Sequence, residues 1–255
     1  MRIWHDITTM KRLTTLLWVV LFALLVSAAV QWVVHRPYFV LRQIKVVAKP
    51  EQTLQFVTVP AIRANAIPRL GDVMRGNFFT VNLGQVRQAF ENVPWVRKAN
   101  VRRVWPNGLL VEIEEQQALA IWSDTRLVNP LGEIFTANLD EAEQDGPLPA
   151  LSGPDESAAQ VVARYQEIKT WMAPLQVEID SVALSARYAW RVTLKNALVI
   201  ELGRDRTDVD MVARVQRFVQ AYPDLVKNLA RRFEYVDLRY TNGFAVRSKD
   251  IKLAS

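Results

Sequence analysis

One short stretch of this sequence gathers most of the side chains that could do chemistry. Residues 93–115, VPWVRKANVRRVWPNGLLVEIEE, hold two tryptophans, four basic residues and three glutamates. A pair of carboxylates could hydrolyse a glycosidic bond, and basic residues interleaved with aromatic ones could bind nucleic acid. The third alternative is an interaction module whose charges lie on solvated strand faces.

The residue types present exclude several catalytic mechanisms. The two histidines, His5 and His35, flank an apolar N-terminal run, and the chain has no cysteine. After residue 35 a Ser-His-Asp triad and a cysteine nucleophile are therefore excluded, and zinc lacks its usual ligands. The nine glycines form neither a P-loop nor a dinucleotide-binding fingerprint. A carboxylate pair and lysine-dependent nucleophilic catalysis stay open on these grounds, although the spacing of Glu112 and Glu114 favours a solvated strand face.

The charges of residues 93–115 are instead typical of a hairpin. Pro106-Asn107-Gly108 is a turn signal, and the apolar residues after it alternate with polar ones. We expect a basic arm to face an acidic arm, each cross-strand pair contributing about 0.2–1 kcal/mol. These arms comprise Arg97, Lys98, Arg102 and Arg103 on one side and Glu112, Glu114 and Glu115 on the other. We also expect Trp105 and Val111 to pack inside, and Glu112 and Glu114 to be exposed.

The distribution of charge argues against nucleic acid as a partner. The formal net charge is +6. Residues 1–49 carry seven Lys/Arg and one Asp, whereas residues 50–255 carry 25 Lys/Arg and 25 Asp/Glu. The basic excess therefore belongs to the N-terminal part of the chain and is not spread over a globular face. We predict no nucleic-acid partner.

The N-terminal apolar run predicts a membrane span. Leu13 to Val34 contains 22 residues without a charge, which form a helix about 33 Å long against a hydrocarbon core of roughly 30 Å. Trp18 and Trp32 lie towards its ends, where indoles favour the lipid headgroups. A buried core helix and a cleaved signal peptide are the alternatives. We favour an uncleaved anchor in contact with membrane lipid, because the apolar run continues past the small residues at 27–29.

The flanking charges suggest an orientation. Arg2, Lys11 and Arg12 precede the span, with Asp6 opposing them, as expected for a cytoplasmic tail of residues 1–12. Basic residues also follow the span, but a large trailing domain translocates largely regardless of its charge. We therefore expect residues 35–255 to lie outside the cytoplasm.

The first exposed segment predicts the order strand, helix, helix, strand, strand. Residues 38–48 are β-branched and aromatic, and a short helix is expected between Pro60 and Pro68. Asn82 is a good N-cap for a helix that Pro94 ends, with Trp95 packing beneath it. The hairpin of residues 93–115 completes the order.

The remaining residues predict a mixed α/β domain with a largely antiparallel sheet and two main helices. Residues 129–132 form a turn between short strands, and residues 138–156 are expected to be a surface loop. The helices are expected from about Ser157 to Met172, and from a cap at Thr207, with Asp210 in its capping box, to Pro223. Further strands are predicted near 177–185, 189–195, 197–203 and 232–240, with Asn242-Gly243 as a turn before a returning segment.

Together these segments resemble the bacterial cell-division FtsQ/DivIB family. The similar motifs, in order after the anchor, are NFFTVNL, NVPWVRKANVRRVWPNGLLVEIEE, ALAIW, LVNPLGEIF, LPALSGPDESAAQVVARY and YVDLRYTNGFAV. The resemblance covers essentially the whole chain. It implies an α+β protein with a 1–12 tail, a transmembrane helix at 13–34, a POTRA domain at 38–116, a so-called β domain at 117–250 and a 251–255 tail.

The resemblance also implies a function without catalysis, with no catalytic residue, cofactor, metal site or small-molecule substrate. A membrane-anchored, carboxylate-dependent cell-wall hydrolase is the alternative. Members of the family are scaffolds of the septal divisome in the inner membrane, with their bulk in the periplasm. They bind the small coiled-coil proteins FtsB and FtsL and connect to the complex that synthesises septal peptidoglycan. In the family the partner adds a strand near the C-terminus.

That site maps onto particular residues of this chain. The matching positions are Arg239, Tyr240, Gly243, Phe244, Ala245, Val246 and Arg247, together with Arg187 as the basic residue expected on an earlier strand. Some relatives carry a tryptophan where Ser248 stands here, so Phe244 is expected to supply the aromatic contact. A POTRA face around Trp95 and Arg102 is the second candidate surface. A POTRA-bearing outer-membrane assembly factor is disfavoured, because the last 140 or so residues lack a series of lipid-facing strands.

Overall fold

The computed structural model describes residues 7–34, 36–71, 77–205, 211–228, 233–240 and 242–248. His5, His35, the expected cap Thr207, Asp210 and the 251–255 tail lie outside the described residues. The chain divides into two compact units, Met1–Glu115 and Gln116–Ser255.

Both units combine helices with sheets, which confirms the predicted α+β class. The helices are α1 (Ile7–Val34), α2 (Val59–Asn65), α3 (Ile67–Leu70), α4 (Leu83–Glu91), α5 (Leu139–Ala142), α6 (Ala158–Met172) and α7 (Met211–Asn228). The strands of the first unit are β1 (Gln43–Ala48), β2 (Val96–Val104) and β3 (Gly108–Glu115). Those of the second are β4 (Ala120–Trp122), β5 (Arg126–Val128), β6 (Ile134–Phe135), β7 (Ala150–Ser152), β8 (Ile179–Leu184), β9 (Ala189–Leu194), β10 (Val199–Arg204), β11 (Phe233–Asp237) and β12 (Ala245–Ser248).

Helix α1 carries the apolar run predicted to span a membrane. From Met10 to Val34 it is long and apolar enough to cross one, as judged by length and composition. None of that stretch is buried against the rest of the protein, so it is not the core helix considered as an alternative. A helix that is apolar on all sides needs an apolar environment, which fits a membrane anchor.

The first unit is built on a three-stranded sheet in the order β1-β3-β2. Strand β1 runs parallel to β3, and β2 runs antiparallel to it. Asn82 caps α4 by accepting hydrogen bonds from the amides of Gly84 and Gln85, as the sequence predicts. Pro68, expected to end a helix, instead lies in the first turn of α3, because proline is tolerated where no helical N–H bond is required.

The hairpin β2–β3 corrects two expectations. Val111 is fully buried, as predicted, but Trp105 is 63% exposed and does not pack inside. Glu114 is not free in solvent either. Its carboxylate lies 2.9 Å from Lys49 Nζ and 2.5 Å from Arg97 Nη1, and its side chain is only 18% exposed.

The two arms of the hairpin also do not simply face each other. Glu115 points away from the basic arm and accepts backbone hydrogen bonds of 2.7, 2.6 and 2.6 Å from residues 55–57. Arg103 donates to backbone carbonyls of Phe78 and Val81, at 2.7 and 2.9 Å. Several charges of the hairpin therefore fix loops of the first unit, and the pair Arg97–Glu114 is the cross-strand contact that was expected.

The second unit is a nine-stranded sheet in the order β12-β11-β10-β9-β8-β7-β4-β5-β6. Its pairs are parallel for β10–β11, β4–β7 and β7–β8, and antiparallel for the rest. Helices α6 and α7 contribute to its core, which includes the fully buried Trp190 and Phe218. Helix α6 matches the predicted bounds within a residue.

Two expectations for this unit are wrong. Residues 138–156 are not simply a surface loop, because they include α5 and the central strand β7, whose Leu151 is fully buried. Strand β7 has only three residues, too few to show the alternation of apolar and polar residues by which a strand is predicted. Pro223 does not end α7, which continues to Asn228.

An exposed ion pair near the start of α6 makes stability depend on pH. Asp155 accepts two hydrogen bonds of 2.8 Å from Arg126 and one of 3.0 Å from the indole of the buried Trp122. The Arg126 bonds, and next the Trp122 bond, lower the pKa of Asp155 to about 2. The folded pKa lies below the unfolded value, so this stabilisation is present above about pH 4 and is lost as pH falls towards 2.

We therefore predict that wild type resists denaturant better than Asp155→Asn at about pH 6. The difference between their unfolding midpoints should shrink steadily between about pH 4 and pH 2. Urea titrations of the two full-length proteins in detergent measure this difference between the unfolding midpoints. A difference that stays constant over that range would show that Asp155 is not held ionised by Arg126.

Candidate partner-binding site

The C-terminal strand β12 is a terminal strand of the nine-stranded sheet. It pairs antiparallel with β11, with Tyr235 opposite Arg247, Val236 opposite Val246 and Asp237 opposite Ala245. Within the part of the chain that the structure describes, the sheet order ends at β12. A terminal strand presents backbone donors and acceptors to whatever lies beside the sheet.

The ladder shows which backbone groups of β12 point outward. The amide of Leu238, just past β11, donates to the carbonyl of Glu201 on β10 at 2.9 Å. Alternate residues of a strand direct their backbone groups to opposite neighbours. Val236 therefore faces β10, and Tyr235 and Asp237 face β12. Their partners Arg247 and Ala245 bond back to β11, so the N–H and C=O of Val246 point to the open edge.

The side chains of β12 alternate between the helix-covered face and the open face of the sheet. Phe244 and Val246 pack against the core, and the Phe244 ring lies 5.8 Å from that of Phe218 on α7 in an edge-to-face arrangement. Phe244 is thus half-buried and holds the end of the sheet in place. One face of its ring is engaged within the domain, and the residue also lines a depression at the surface. The aromatic contact that Phe244 is expected to make with a partner stays a prediction.

Tyr240 is the aromatic side chain that the site exposes. It is 57% exposed and lines a shallow depression with Asn242, Gly243, Phe244 and Ala245. A tyrosine ring offers a large, rigid contact area at a small cost in side-chain entropy. The loop that carries Tyr240 follows directly on β11.

An ion pair on the open face fixes the start of this loop. The carboxylate of Asp237 is almost buried and accepts from Arg239 Nε at 2.9 Å and Nη2 at 2.6 Å, and from the Arg239 amide at 3.0 Å. The Arg239 side chain lowers the pKa of Asp237 below its usual range. Asp237 therefore stays ionised well below neutral pH and keeps Arg239 in place.

Neighbouring strands extend this row of charges. Arg191 on β9 donates to Glu201 on β10 at 2.6 Å, and Glu201 lies opposite Asp237 in the register. On β12, the Arg247 guanidinium lies 4.9 Å from the centre of the Tyr235 ring. Exposed guanidinium groups thus reach the sheet edge and could meet carboxylates of an added strand.

A buried arginine holds the loop from the other side. Arg214 on α7 is 6% exposed, and its Nη1 donates to the carbonyls of Leu202 at 2.7 Å and Leu238 at 3.0 Å. It also donates to the carbonyl of Arg204 at 3.3 Å. These bonds join α7 to the ends of β10 and β11, next to the residues that precede Tyr240.

The structure does not bring every predicted site residue together. Arg187 lies in the turn between β8 and β9, not on a strand, and three inter-strand spacings, about 14 Å, separate β9 from β12. It is exposed at the same end of the sheet, because Ala189 pairs with Arg204 there. Arg239, Tyr240, Gly243 and the 244–247 segment do lie side by side.

The second candidate surface also needs correction. Trp95 is 3% exposed, and its ring stacks on that of Phe56 at 4.2 Å, so it cannot contact a partner. Its burial in the first unit agrees with the prediction that Trp95 packs beneath the preceding helix. Arg102 is exposed on β2, but Trp95 and Arg102 do not form one surface.

Two positioning residues escape sequence reasoning. Arg214 stands within the apolar stripe of α7, and only its carbonyl partners, which are distant in sequence, give it a role. Gly203 has φ of +76°, and a Cβ there would lie 2.8 Å from Cγ of Arg239. A lone glycine within a strand is a usable signal, because it often marks a bulge or a close approach.

The arrangement suits binding of an extended segment. Among the described residues no group of three or more His, Asp and Glu side chains could hold a metal ion. The site combines an outward-facing backbone, an exposed tyrosine and fixed guanidinium groups. These are the elements of strand addition, in which main-chain bonds give affinity and side chains give specificity.

Two family models match this chain. The one described as "Cell division protein FtsQ/DivIB, C-terminal" covers residues 120–239, and "POTRA domain, FtsQ-type" covers residues 61–116. The candidate edge lies at and beyond the end of the first match.

Curated relatives are similar over nearly the whole chain. A protein of Bordetella pertussis named "Cell division protein FtsQ" is 43% identical over 255 residues, 95% of this chain and 92% of the relative. Proteins of the same name from Burkholderia pseudomallei and Nitrosospira multiformis are 41% and 40% identical. These two alignments cover 98% and 86% of this chain, and 96% and 87% of the relatives.

The glycine that Arg239 approaches gives a matched test of the site's geometry. We predict that Gly203→Ala costs about 1–2 kcal/mol, because a side chain is strained at positive φ and displaces Arg239 from Asp237. Gly243→Ala is the control, since a Cβ there meets no atom within 4 Å. Urea unfolding of both variants measures the difference. Equal losses would mean that the Arg239–Asp237 pair is not held as described.

Proposed function

The chain belongs to the FtsQ/DivIB family of cell division proteins and acts in cell division, and we propose that it does so as a non-enzymatic, membrane-anchored scaffold. Its partners are small coiled-coil proteins of the FtsB and FtsL type, and through them the septal divisome and its peptidoglycan synthase. The free edge of β12 receives an extended segment of the FtsB-like partner.

The outward backbone of Val246 carries this proposal. It offers one donor and one acceptor at the end of the sheet, and added strands satisfy such groups. Next to it, Tyr240 supplies an exposed aromatic surface at the end of β11. Arg239 and Arg247 are largely exposed and favour a partner segment that carries carboxylates.

The membrane anchor makes a short edge sufficient. Four residues of β12 provide few main-chain bonds, so the intrinsic affinity of the edge is modest. Anchoring by residues 13–34 confines this chain and a membrane-bound partner to one surface, which raises their effective concentration. We place residues 1–12 in the cytoplasm and residues 35–255 in the periplasm. The protein lies in the inner membrane and is enriched at the division septum. Residues 38–116 then form the POTRA domain and 117–250 the partner-binding domain.

The alternative of a carboxylate-dependent hydrolase loses support at Glu114. A general acid needs a raised pKa to hold its proton at neutral pH. Hydrogen bonds from Lys49, and then Arg97, instead lower the pKa of Glu114, although partial burial opposes them. We expect no soluble muropeptides when the full-length protein is incubated with purified peptidoglycan. Their release would overturn the scaffold proposal.

We predict that Val246→Pro abolishes binding of an FtsB-like partner while the domain stays folded. Proline removes the outward N–H and is tolerated on edge strands. Ala245→Pro is the matched control, because its N–H bonds to β11 and its loss should destabilise the end of the sheet. Pull-down of each full-length variant with the partner in detergent, alongside urea unfolding, separates binding from folding.

Tyr240→Ala tests the side-chain part of the same site. Loss of an exposed aromatic anchor typically costs about 1–3 kcal/mol, roughly ten- to a hundred-fold in affinity. Leu131→Ala removes another exposed apolar side chain, located between β5 and β6 at the opposite end of the sheet order, and should leave affinity unchanged. Normal binding by both Val246→Pro and Tyr240→Ala would place the partner elsewhere.

A further inference from the structure

Five aromatic rings form a partly exposed cluster in the first unit. This aromatic cluster consists of Tyr38, Phe39, Phe78, Phe79 and Trp105. The Trp105 ring lies 5.3 Å from Phe39 and 5.5 Å from Phe78, and Phe39 lies 5.0 Å from Phe79. Tyr38 and Trp105 are nevertheless more than half exposed. Large exposed aromatic patches usually mark an interaction surface, and the proposed partner site makes no use of this one.

The aromatic cluster adjoins the end of α1. Asn77 donates from Nδ2 to the carbonyl of Val34, the last residue of the helix, at 2.8 Å. The amide of Phe78 donates to the carbonyl of Phe39 at 2.8 Å, and that of Phe39 to Arg36 at 3.1 Å. Short contacts therefore connect the cluster to the residue at which the apolar run ends.

This position corresponds to the headgroup layer of a bilayer. The 22 uncharged residues of the run are about 33 Å long as a helix, and the hydrocarbon core is roughly 30 Å thick. Val34 would thus lie at the boundary of the core. The headgroup region adds roughly 5–8 Å on each side, which is the depth at which Trp and Tyr rings are enriched.

Basic residues lie near the aromatic cluster, whereas the described carboxylates of β3 lie towards the other end of the hairpin. Arg36 follows the helix and stacks 3.5 Å over the Trp32 ring. The backbone amide of Arg42 donates a hydrogen bond to the carbonyl of Asn107 in the hairpin turn, and Arg102 is exposed near the end of β2. The described carboxylates of this unit are at positions 51, 91, 112, 114 and 115. On β3, Glu112 is four residues, about 13 Å, beyond Gly108 at the turn.

We propose that the aromatic cluster docks on the membrane surface and inserts Trp105 and Tyr38 among the headgroups of anionic phospholipids. The inference rests on the proposed membrane span. Rings with an apolar body and a polar edge suit this layer, and each nearby arginine adds attraction to anionic lipid. Docking holds the hairpin end of the POTRA sheet against the bilayer and directs its acidic end away from it.

The absence of cysteine from the sequence allows clean spin labelling at single sites. Val104→Cys places a label beside Trp105, while Asn100→Cys places one on the same face of β2, about 13 Å farther from the turn. Both positions are exposed. Leu24→Cys, in the middle of α1, reports whether the helix is in the bilayer. The full-length variants are reconstituted in nanodiscs with or without phosphatidylglycerol, and collision with oxygen and with a water-soluble nickel reagent gives the depth of each label.

The proposal expects three depths in nanodiscs that contain phosphatidylglycerol. The label at 24 lies in the acyl chains, that at 104 at the headgroups and that at 100 in water. Adding Trp105→Glu to Val104→Cys should make label 104 as exposed to water as label 100. Nanodiscs without phosphatidylglycerol should have largely the same effect on label 104.

Each departure from that pattern has a defined meaning. If label 24 is in the acyl chains but label 104 is as exposed to water as label 100, the docking inference is wrong and the anchor stands. If label 24 is itself in water, the proposed span fails and the inference fails with it. If label 104 is shielded from both reagents, or shielded only after a partner protein is added, a protein covers the aromatic cluster and the lipid proposal is overturned.

Discussion

The guanidinium of Arg214 fixes the end of the sheet on which the proposed function depends. A buried charge is costly unless hydrogen bonds compensate it, and here three backbone carbonyls, those of Leu202, Arg204 and Leu238, do so. Strands β10 and β11 are parallel, so α7 must cross over between them, and Arg214 ties this crossover to the ends of both strands. The position of the next element, the loop of Tyr240, follows from that constraint.

The position of the edge strand β12 depends on the same ends of β10 and β11. Gly203 lets Arg239 lie close to β10, where Asp237 holds its guanidinium. Phe244 then packs on Phe218 and returns the chain as β12. Packing thus engages one side of this segment, while the ring of Tyr240 is exposed and the backbone of Val246 points outward, as the proposed binding of a partner strand requires. A rigid loop that presents few groups loses little entropy on binding.

The first unit uses its charges in a similar way, to fix loops. Glu115 accepts hydrogen bonds from the amides of residues 55–57, and Arg103 donates hydrogen bonds to carbonyls of residues 78–81. The latter contact supports the segment that carries Phe78 and Phe79 beside Trp105. The charges of the hairpin that first suggested chemistry therefore have structural roles, and its Trp105 side chain stays exposed beside these rings.

The sequence by itself determined the local features, because these depend on neighbours along the chain. The apolar helix α1, the Asn82 cap, the amphipathic α6 and the strands around 179–204 follow from length, capping residues and periodicity. Tertiary structure decided what depends on distant residues. Trp95 and Trp105 each lie beside a proline, yet Trp95 is buried against Phe56 while Trp105 stays exposed even though it contacts the rings of Phe39 and Phe78. The central position of β7, the engagement of Phe244 and the role of Arg214 likewise arise from strand order and crossover, which no local pattern encodes.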